Sequence, residues 1–160
     1  MKMLSTKKLF QHILWAASLG ISSMSSSFAQ LNEVKIFAHR AGAHEYDENT
    51  LSAFKTTYEQ GMRGYETDVR ITKDGHLVIF HDDNLKRIVG REGVIEEMTL
   101  AEIKKLKTLK GNEIPTLDEI VDYFKDKPGV YIEFEMKTSK PMYDEVTLHK
   151  YCDMLYNKVY

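Results

Sequence analysis

The sequence predicts an α/β protein whose main strands run parallel. The first reason is the order of elements, because strand-like runs at 34–38, 65–71 and 130–137 are each followed by segments with helical spacing. Parallel strands need a long crossover between them, and a helix usually supplies it. The second reason is the position of charged residues, which interrupt these strands or follow them directly, as functional groups do in parallel α/β folds. Parallel α/β folds place their functional groups at strand C-terminal ends.

The first strand–helix unit begins with VKIFA at 34–38 and continues into the polar stretch HRAGAHEYDEN. Asn49 is a favourable N-cap residue and Gly61 a favourable stop, so a helix is predicted between them. Apolar residues recur at helical spacing in that segment, at Leu51, Phe54 and Tyr58. The sequence of this unit therefore predicts a short strand, a polar loop and an amphipathic helix, in that order.

A β-hairpin is predicted next. Residues 65–71 (YETDVRI) form its first strand, and LVIF at 77–80 forms its second. Asp74 and Gly75 between them are a strong turn signal. His81 follows the return strand directly. The hairpin is therefore an insertion after the second main strand.

Two short helices and a longer final helix are predicted in the remainder of the chain. The first is MTLAEIKKLK at 98–107, opened by Thr99. The second is IPTLDEIVDYFKD at 114–126, capped near Thr116. The final segment begins at about Met142 and carries an apolar stripe at Leu148, Cys152, Leu155 and Val159.

Two strands carry charged residues at alternate positions, which is unusual for a covered parallel sheet. Alternate residues share a face, so Glu66, Asp68 and Arg70 project to one side of the second strand. The third strand, VYIEFEMK, has a charged face of Glu133, Glu135 and Lys137 and an apolar face of Ile132, Phe134 and Met136. Buried carboxylates without compensation cost several kcal/mol each.

A divalent cation would compensate these carboxylates. Glu66 and Asp68 are about 6.6 Å apart along a strand, so both can reach one ion, with Glu135 of the neighbouring strand as a third ligand. Ligation by oxygen alone favours Ca²⁺ or Mg²⁺ over zinc. The same spacing fits equally a salt-bridge network of these carboxylates with Arg40, Arg70 or Lys137.

Two histidines stand at strand C-terminal ends. His39 follows the first strand, and His81 ends the hairpin. With a cation and Arg40 they suit phosphodiester cleavage, in which one histidine accepts a proton and the other donates one. Each histidine alone is more often a hydrogen-bonded structural residue. Three others are predicted on loops or the surface, namely His44, His76 and His149.

The N-terminus predicts a secretory signal peptide. Three lysines precede the apolar run ILWAASLGIS, which is too short to span a bilayer as a helix. Small residues at Ser27 and Ala29 then precede Gln30, as in a cleavage site. We therefore expect residues 1–29 to be removed, the mature protein to be periplasmic or secreted, and no stable membrane insertion. An uncleaved membrane anchor is the alternative.

Charge and cysteine content narrow the possibilities further. Removing residues 1–29 takes away three of 22 basic residues and no acidic one, which leaves 19 against 24 and a net charge of −5. This argues against a nucleic-acid partner that depends on bulk positive charge. Cys152 is the single cysteine, so an internal disulfide is excluded.

Four separated motifs occur in the order AHRAGAHEYDENTLSAF, YETDVRITKDGHLVIFHDDNLKR, IPTLDEIV and YIEFEMK, and they span essentially all of residues 36–137. In this order they resemble the glycerophosphodiester phosphodiesterase family. The resemblance implies a (β/α)8 barrel, the TIM fold, with its site at the C-terminal ends of the strands. This chain would hold the N-terminal part of that barrel, about three βα units plus the hairpin insertion.

The resemblance also implies roles for the candidate residues. They are the acid–base pair His39 and His81, the phosphate-binding Arg40 and Lys137, and the ligands Glu66, Asp68 and Glu135 of one divalent cation, Ca²⁺ or Mg²⁺. In the family's reaction a free glycerol hydroxyl attacks the phosphorus and a cyclic phosphate forms. Water then opens the ring, so the products are glycerol 3-phosphate and the head-group alcohol. The implied partner is a small glycerophosphodiester.

Three features depart from the family pattern. Ala41 stands where a glycine usually follows His-Arg, and Asp47 stands where a proline usually precedes ENT. A barrel of this type takes about 250 residues, or about 200 at the short end, whereas residues 30–160 number 131. We therefore expect residues 30–160 to be the N-terminal portion of a longer domain, and inactivity of this chain alone stays an open alternative.

Two further functions are compatible with these motifs. Barrel phospholipases of the phosphatidylinositol-specific or sphingomyelinase D kind use similar histidine pairs, and they would prefer an intact lipid. A non-catalytic exported binding protein on the same fold would be expected to have lost a histidine or a ligand. None of the expected residues is missing from this sequence.

Overall fold

A computed structural model describes residues 35–138 and 143–159 of the chain. The predicted signal peptide, residues 1–29, lies outside the described residues. Across those two described ranges, we find no helix with the length and apolar character needed to cross a membrane.

Four strands and five helices form the described part of the chain. The strands are β1 (Phe37–Ala38), β2 (Gly64–Ile71), β3 (Leu77–Ile79) and β4 (Tyr131–Met136). The helices are α1 (Leu51–Glu59), α2 (Lys86–Val89), α3 (Leu100–Ile103), α4 (Leu117–Phe124) and α5 (Glu145–Val159). Two turns of 3₁₀ helix lie at His39–Ala41 and Ile95–Glu97.

β2 is the centre of the sheet, because each of the other three strands pairs with it. β1 is parallel to the start of β2, with Ala38 opposite Tyr65, and β4 is parallel to it from Gly64 to Val69. β3 is antiparallel to the end of β2. One edge of β2 pairs with β4. The other edge is shared by β1 and β3. The predicted parallel sheet with a hairpin insertion is confirmed.

Two elements are shorter than the sequence predicts. The strand predicted at 34–38 is described from residue 35 onward, and in that part β1 covers Phe37 and Ala38, the two residues that pair with β2. α3 covers four residues of the predicted 98–107. The backbone N–H groups of Lys105 and Leu106 bond three residues back instead of four, which tightens the chain into a turn.

Threonine side chains cap the N-termini of α1, α3 and α4. Thr99 and Thr116 each form a capping box with the glutamate three residues later, as their positions predict. The N-cap of α1, however, is Thr50, whose hydroxyl accepts a hydrogen bond from the backbone N–H of Ala53. The prediction of Asn49 as the N-cap is therefore wrong. Asn49 has a left-handed backbone, with φ 57°, and its side chain serves a different purpose.

The main core lies between β2 and helices α1 and α4. Phe54, Tyr65 and Phe124 are buried there, with ring centroids 5.1 to 5.8 Å apart. The face of β2 opposite the charged one packs into this core, because Tyr65, Val69 and Ile71 are all buried. A second cluster lies beneath the hairpin insertion and contains Val78, Phe80, Leu85, Ile95, Ile103, Leu106 and Ile114.

The last helix packs on the main core along a stripe that agrees with the predicted one at Leu155 and Val159 and differs from it elsewhere. The contacts come from Tyr151, Met154, Leu155 and Val159, whereas Cys152 is exposed. Between α5, α4 and the apolar face of β4 lies an open groove of about 910 Å³. Within the described residues, no strand pairs with the outer edge of β4.

Candidate active site

The candidate residues meet at one end of the sheet. They are His39 and Arg40 after β1, Glu66 and Asp68 in β2, and Glu135 and Lys137 at the end of β4. Because these three strands are parallel, their C-terminal ends lie on the same side. The register places Asp68 directly opposite Glu135.

Three carboxylates form a cluster in which one oxygen from each lies within 4.8 Å of the others. Asp68 is at its centre and its side chain is only 1% exposed, compared with 19% for Glu66 and 58% for Glu135. All donors are oxygens, which is the ligand set that Ca²⁺ and Mg²⁺ prefer. The residues present therefore fit a hard divalent cation.

Two basic side chains partly neutralise this cluster. Lys137 Nζ lies 2.8 Å from Asp68 Oδ1 and 2.6 Å from Glu135 Oε1. Arg40 Nε lies 3.6 Å from Asp68 Oδ2, and the Arg40 backbone N–H donates to Glu66 Oε2 at 3.0 Å. Burial alone would lower the pKa of Lys137, but its hydrogen bonds to Asp68 and Glu135 outweigh burial and raise that pKa.

The structure bears on both explanations offered for the charged strand face. Arg40 and Lys137 do pair with Asp68, as the salt-bridge explanation requires. Arg70 does not join them, because its guanidinium binds Glu96 at 2.8 Å and Asp83 at 2.9 Å. Three carboxylates thus share two basic groups, which leaves a net negative charge that suits a cation.

Asn49 is a site residue that the sequence analysis missed. Its Nδ2 donates to Asp68 Oδ2 at 2.7 Å, and its Oδ1 accepts from the Thr67 hydroxyl at 2.8 Å. The side chain is therefore fixed at both ends and orients the central carboxylate. The available signal was that asparagine tolerates a left-handed backbone, so it could leave the helix start to Thr50.

A tight turn presents the residues that follow β1. Arg40, Ala41 and Gly42 all have positive φ, of 50°, 61° and 107°. This turn places the Arg40 backbone N–H and the His39 ring beside Glu66, with His39 Nε2 at 3.8 Å from Glu66 Oε2. Ala41, the departure from the usual glycine, is buried and adopts the left-handed conformation that glycine prefers.

His81 is held from both its ring and its backbone. Its Nδ1 lies 2.8 Å from Asp82 Oδ1. Its carbonyl accepts two hydrogen bonds from Arg70, from Nε at 3.2 Å and from Nη2 at 2.9 Å. Arg70 is therefore a support for the segment that carries His81, and it projects from the same face of β2 as Asp68.

Glu48 and Arg87 connect His81 to Arg40. The Glu48 carboxylate lies within 4.8 Å of the His81 ring and accepts from Arg40 Nη1 at 3.2 Å. Arg87 donates to Glu48 and to Asp82. Sequence reasoning did not single out either residue, because 39 positions separate Glu48 from Arg87.

The remaining predicted positions lie outside this cluster. The second departure, Asp47, accepts hydrogen bonds from the Thr108 hydroxyl and from Asn112 Nδ2, so it fixes the loop before α4. Three histidines are exposed, as predicted, namely His44, His76 and His149.

Comparison with known proteins identifies the family. The model of the glycerophosphoryl diester phosphodiesterase family matches residues 39–158. The chain belongs to this family. The family predicted from the four motifs is thus confirmed. The matched range includes every candidate site residue named above.

Relatives in the glycerophosphodiester phosphodiesterase family match over most of this chain. A glycerophosphodiester phosphodiesterase of Caldanaerobacter subterraneus subsp. tengcongensis is 39% identical over 115 residues, which are 68% of this chain and 47% of that protein. The glycerophosphodiester phosphodiesterase structure from Thermotoga maritima matches with a TM-score of 0.62 at 31% identity. The match covers 79% of this chain and 51% of the Thermotoga maritima chain.

A third relative carries a ligand. The structure of an Oleispira antarctica phosphodiesterase in complex with the product sn-glycerol-3-phosphate has a TM-score of 0.59 at 34% identity, over 65% of this chain and 44% of that one. The chain thus spans about half the length of the family members it matches. Its fold is part of the family's (β/α)8 barrel, with three barrel strands and the hairpin insertion.

Proposed function

We propose that the protein hydrolyses glycerophosphodiesters to glycerol 3-phosphate and an alcohol. The observation that carries this proposal is the convergence of three carboxylates with Arg40 and Lys137 at the C-terminal ends of the parallel strands, beside His39. Family membership and a relative in complex with sn-glycerol-3-phosphate support the substrate class. They favour glycerophosphodiesters over the lipid substrates of other barrel phospholipases.

The reaction proceeds in two steps that need a base and an acid. In the first step, the oxygen of a free glycerol hydroxyl attacks the phosphorus and loses its proton to one histidine, and the bond to the leaving alcohol breaks. The other histidine gives that alcohol its proton. In the second step, water opens the cyclic phosphate with the proton transfers reversed. His39 and His81 are the proposed pair.

Glu66, Asp68 and Glu135 would hold the divalent cation, Ca²⁺ or Mg²⁺. When bound, the cation supplies positive charge that stabilises the phosphoryl oxygens. Arg40 and Lys137 add fixed positive charge from the protein and orient the phosphate. Asn49 and the backbone N–H of Arg40 keep two of the three carboxylates in place.

The experiment is release of glycerol 3-phosphate from glycerophosphocholine by the chain from Gln30 onward, with Ca²⁺, with Mg²⁺ and with EDTA. We expect release that depends on the cation and is lost in His39→Ala and His81→Ala. Calorimetric titration with each cation runs in parallel. If the chain shows no release and no cation binding under any of these conditions, the proposal for this chain is contradicted.

We also propose that the protein is exported and that residues 1–29 are its signal peptide. The support is the order of lysines, a short apolar run and small residues before Gln30. N-terminal sequencing of the protein from its producing cells is expected to start at Gln30. A sequence that starts at Met1 in the membrane fraction would indicate an uncleaved anchor instead.

A further inference from the structure

Arg87 occupies a position that links the two segments carrying the proposed catalytic groups. Its Nη1 and Nη2 donate to the two oxygens of Glu48, and its Nε and Nη2 donate to the two oxygens of Asp82, all at 2.7 Å. Glu48 belongs to the loop after β1, whereas Asp82 lies shortly after the end of β3, next to His81. One guanidinium therefore forks onto two carboxylates from different parts of the chain.

Each of these carboxylates contacts a proposed functional residue. Asp82 Oδ1 lies 2.8 Å from His81 Nδ1, and Glu48 Oε1 lies 3.2 Å from Arg40 Nη1. We propose that Arg87 is a positioning residue, which holds Asp82 and Glu48 so that His81 and Arg40 take fixed orientations toward a common substrate. The inference rests on the proposed function, and it adds a residue without a role in the reaction described above.

The argument for His81 concerns which ring nitrogen carries the proton. An ionised carboxylate can only accept hydrogen bonds, and Arg87 keeps Asp82 ionised by donating to both of its oxygens. The neutral ring must therefore carry its proton on Nδ1 to donate to Asp82. Its Nε2 then has a lone pair, which is the form that accepts a proton from a substrate hydroxyl.

The argument for Arg40 concerns the orientation of its guanidinium. Glu48 is mostly buried, with a side chain 11% exposed, and Arg87 occupies both of its oxygens. The carboxylate therefore cannot turn away from Arg40 Nη1. This contact and the nearby Asp68 fix the plane of the Arg40 group on two sides.

The same geometry argues against a second metal site here. Glu48, His81 and Asp82 have atoms close enough together to bind an ion. All four oxygens of the two carboxylates already accept hydrogen bonds from Arg87, however, so an ion would have to displace the guanidinium. A positioning role explains why a side chain that is 49% exposed makes four hydrogen bonds at such short range with partners that are largely buried.

The test reads the protonated nitrogen of His81 by NMR, which needs no turnover. In the wild-type chain, ¹⁵N shifts of the neutral ring are expected to show mainly the Nδ1–H form. In Arg87→Gln, the Nε2–H form is expected to rise to about half or more, because it is preferred when no acceptor holds Nδ1. The His81 signal is assigned by its loss in His81→Gln.

Three further variants complete the test. Arg91→Gln is the matched control, because Arg91 is exposed and, among the residues that the structure describes, its side chain bonds to the neighbouring Glu92 carbonyl alone. It is expected to match the wild type. Asp82→Asn is expected to give the largest shift. Arg87→Lys is expected to fall between wild type and Arg87→Gln, since an ammonium cannot fork onto two carboxylates.

The outcomes separate this inference from the proposed function. An Arg87→Gln spectrum identical to wild type, in a variant with unchanged circular dichroism, would overturn the positioning role even if the enzyme is active. A shifted spectrum in a chain without phosphodiesterase activity would support the positioning role and contradict the proposed reaction.

Discussion

Asp68 is the residue on which most of the candidate site converges. One of its oxygens contacts Asn49 and Arg40, and the other contacts Lys137. A carboxylate that is 1% exposed needs such partners, because burying an unpaired charge is costly. Asp68 is thus proposed to act in cation binding and His81 in proton transfer, and these two roles can be separated experimentally.

Asp68→Asn and His81→Ala are expected to affect different properties. Asp68→Asn keeps the side-chain shape but removes the central charge, so cation affinity is expected to fall at least about tenfold. His81→Ala is expected to abolish turnover and to leave cation affinity unchanged, because His81 is not among the three proposed ligands. Calorimetry with Ca²⁺ and Mg²⁺ measures the first, and glycerol 3-phosphate release the second. Unchanged turnover in His81→Ala would remove it from the acid–base pair.

Lys137 is expected to compete with the cation for its ligands. Its ammonium lies within 2.8 Å of both Asp68 and Glu135, so its charge lowers the attraction of the cluster for a second positive group. Lys137→Met is therefore expected to tighten cation binding about tenfold while weakening turnover, since a phosphate-binding charge is lost. Lys125→Met, at the exposed residue that follows α4, is the control. Weaker cation binding in Lys137→Met would contradict the competition.

Residues with a local pattern were predictable, and residues with a long-range partner were not. The alternation in β2 and β4 identified Glu66, Asp68 and Glu135, because strand geometry decides which side chains share a face. Asn49 was assigned to a helix cap because capping depends only on neighbours in sequence. Nothing local distinguishes Arg87 from other exposed arginines, since only Asp82 is near it in sequence and Glu48, its partner in the loop after β1, is 39 positions away.

At the scale of elements, the loop after β1 and the segment from β3 to α2 form one unit. Arg87, in the short helix α2, joins them through Glu48 and Asp82. Hydrogen bonds from Arg87 hold the pKa of Asp82 at about 2 and also lower the pKa of Glu48. The contact between these elements is therefore sensitive to acid.

This cluster predicts a particular pH dependence of stability. Because the pKa values of both carboxyls are lower in the folded state, their contribution is present above the unfolded values near 4 and is lost as pH falls toward about 2. The wild type is expected to exceed Arg87→Gln in free energy of unfolding by about 1 kcal/mol at pH 6. That difference is expected to shrink as pH falls below about 4.

Urea unfolding of wild type, Arg87→Gln and Arg91→Gln at pH 6, 4 and 3 measures this dependence. Arg91→Gln is expected to follow the wild type at each pH. A difference between wild type and Arg87→Gln that stays constant with pH would mean that the two carboxyls are not the groups stabilised by Arg87.

For the whole molecule, the three parallel strands and their covering helices match the family's barrel over about half of its length. A closed barrel has eight strands, and each has a partner on both edges. In the described residues β4 has a partner on one edge only, and the apolar groove beside it is lined by Phe134, Leu155 and Val159. The candidate ligands nevertheless all come from β2 and β4, which the chain already contains.

The single pairing of β4 has a consequence for amide hydrogen exchange. The N–H groups of Tyr131 and Lys137 donate to β2 or its flank, and alternation along the strand gives Glu133 and Glu135 the same direction. The N–H groups of Ile132, Phe134 and Met136 then point outward. Exchange along the strand is therefore expected to alternate, with the inward set slower by at least about tenfold. Equal protection of both sets in the isolated chain would show that a further strand covers this edge.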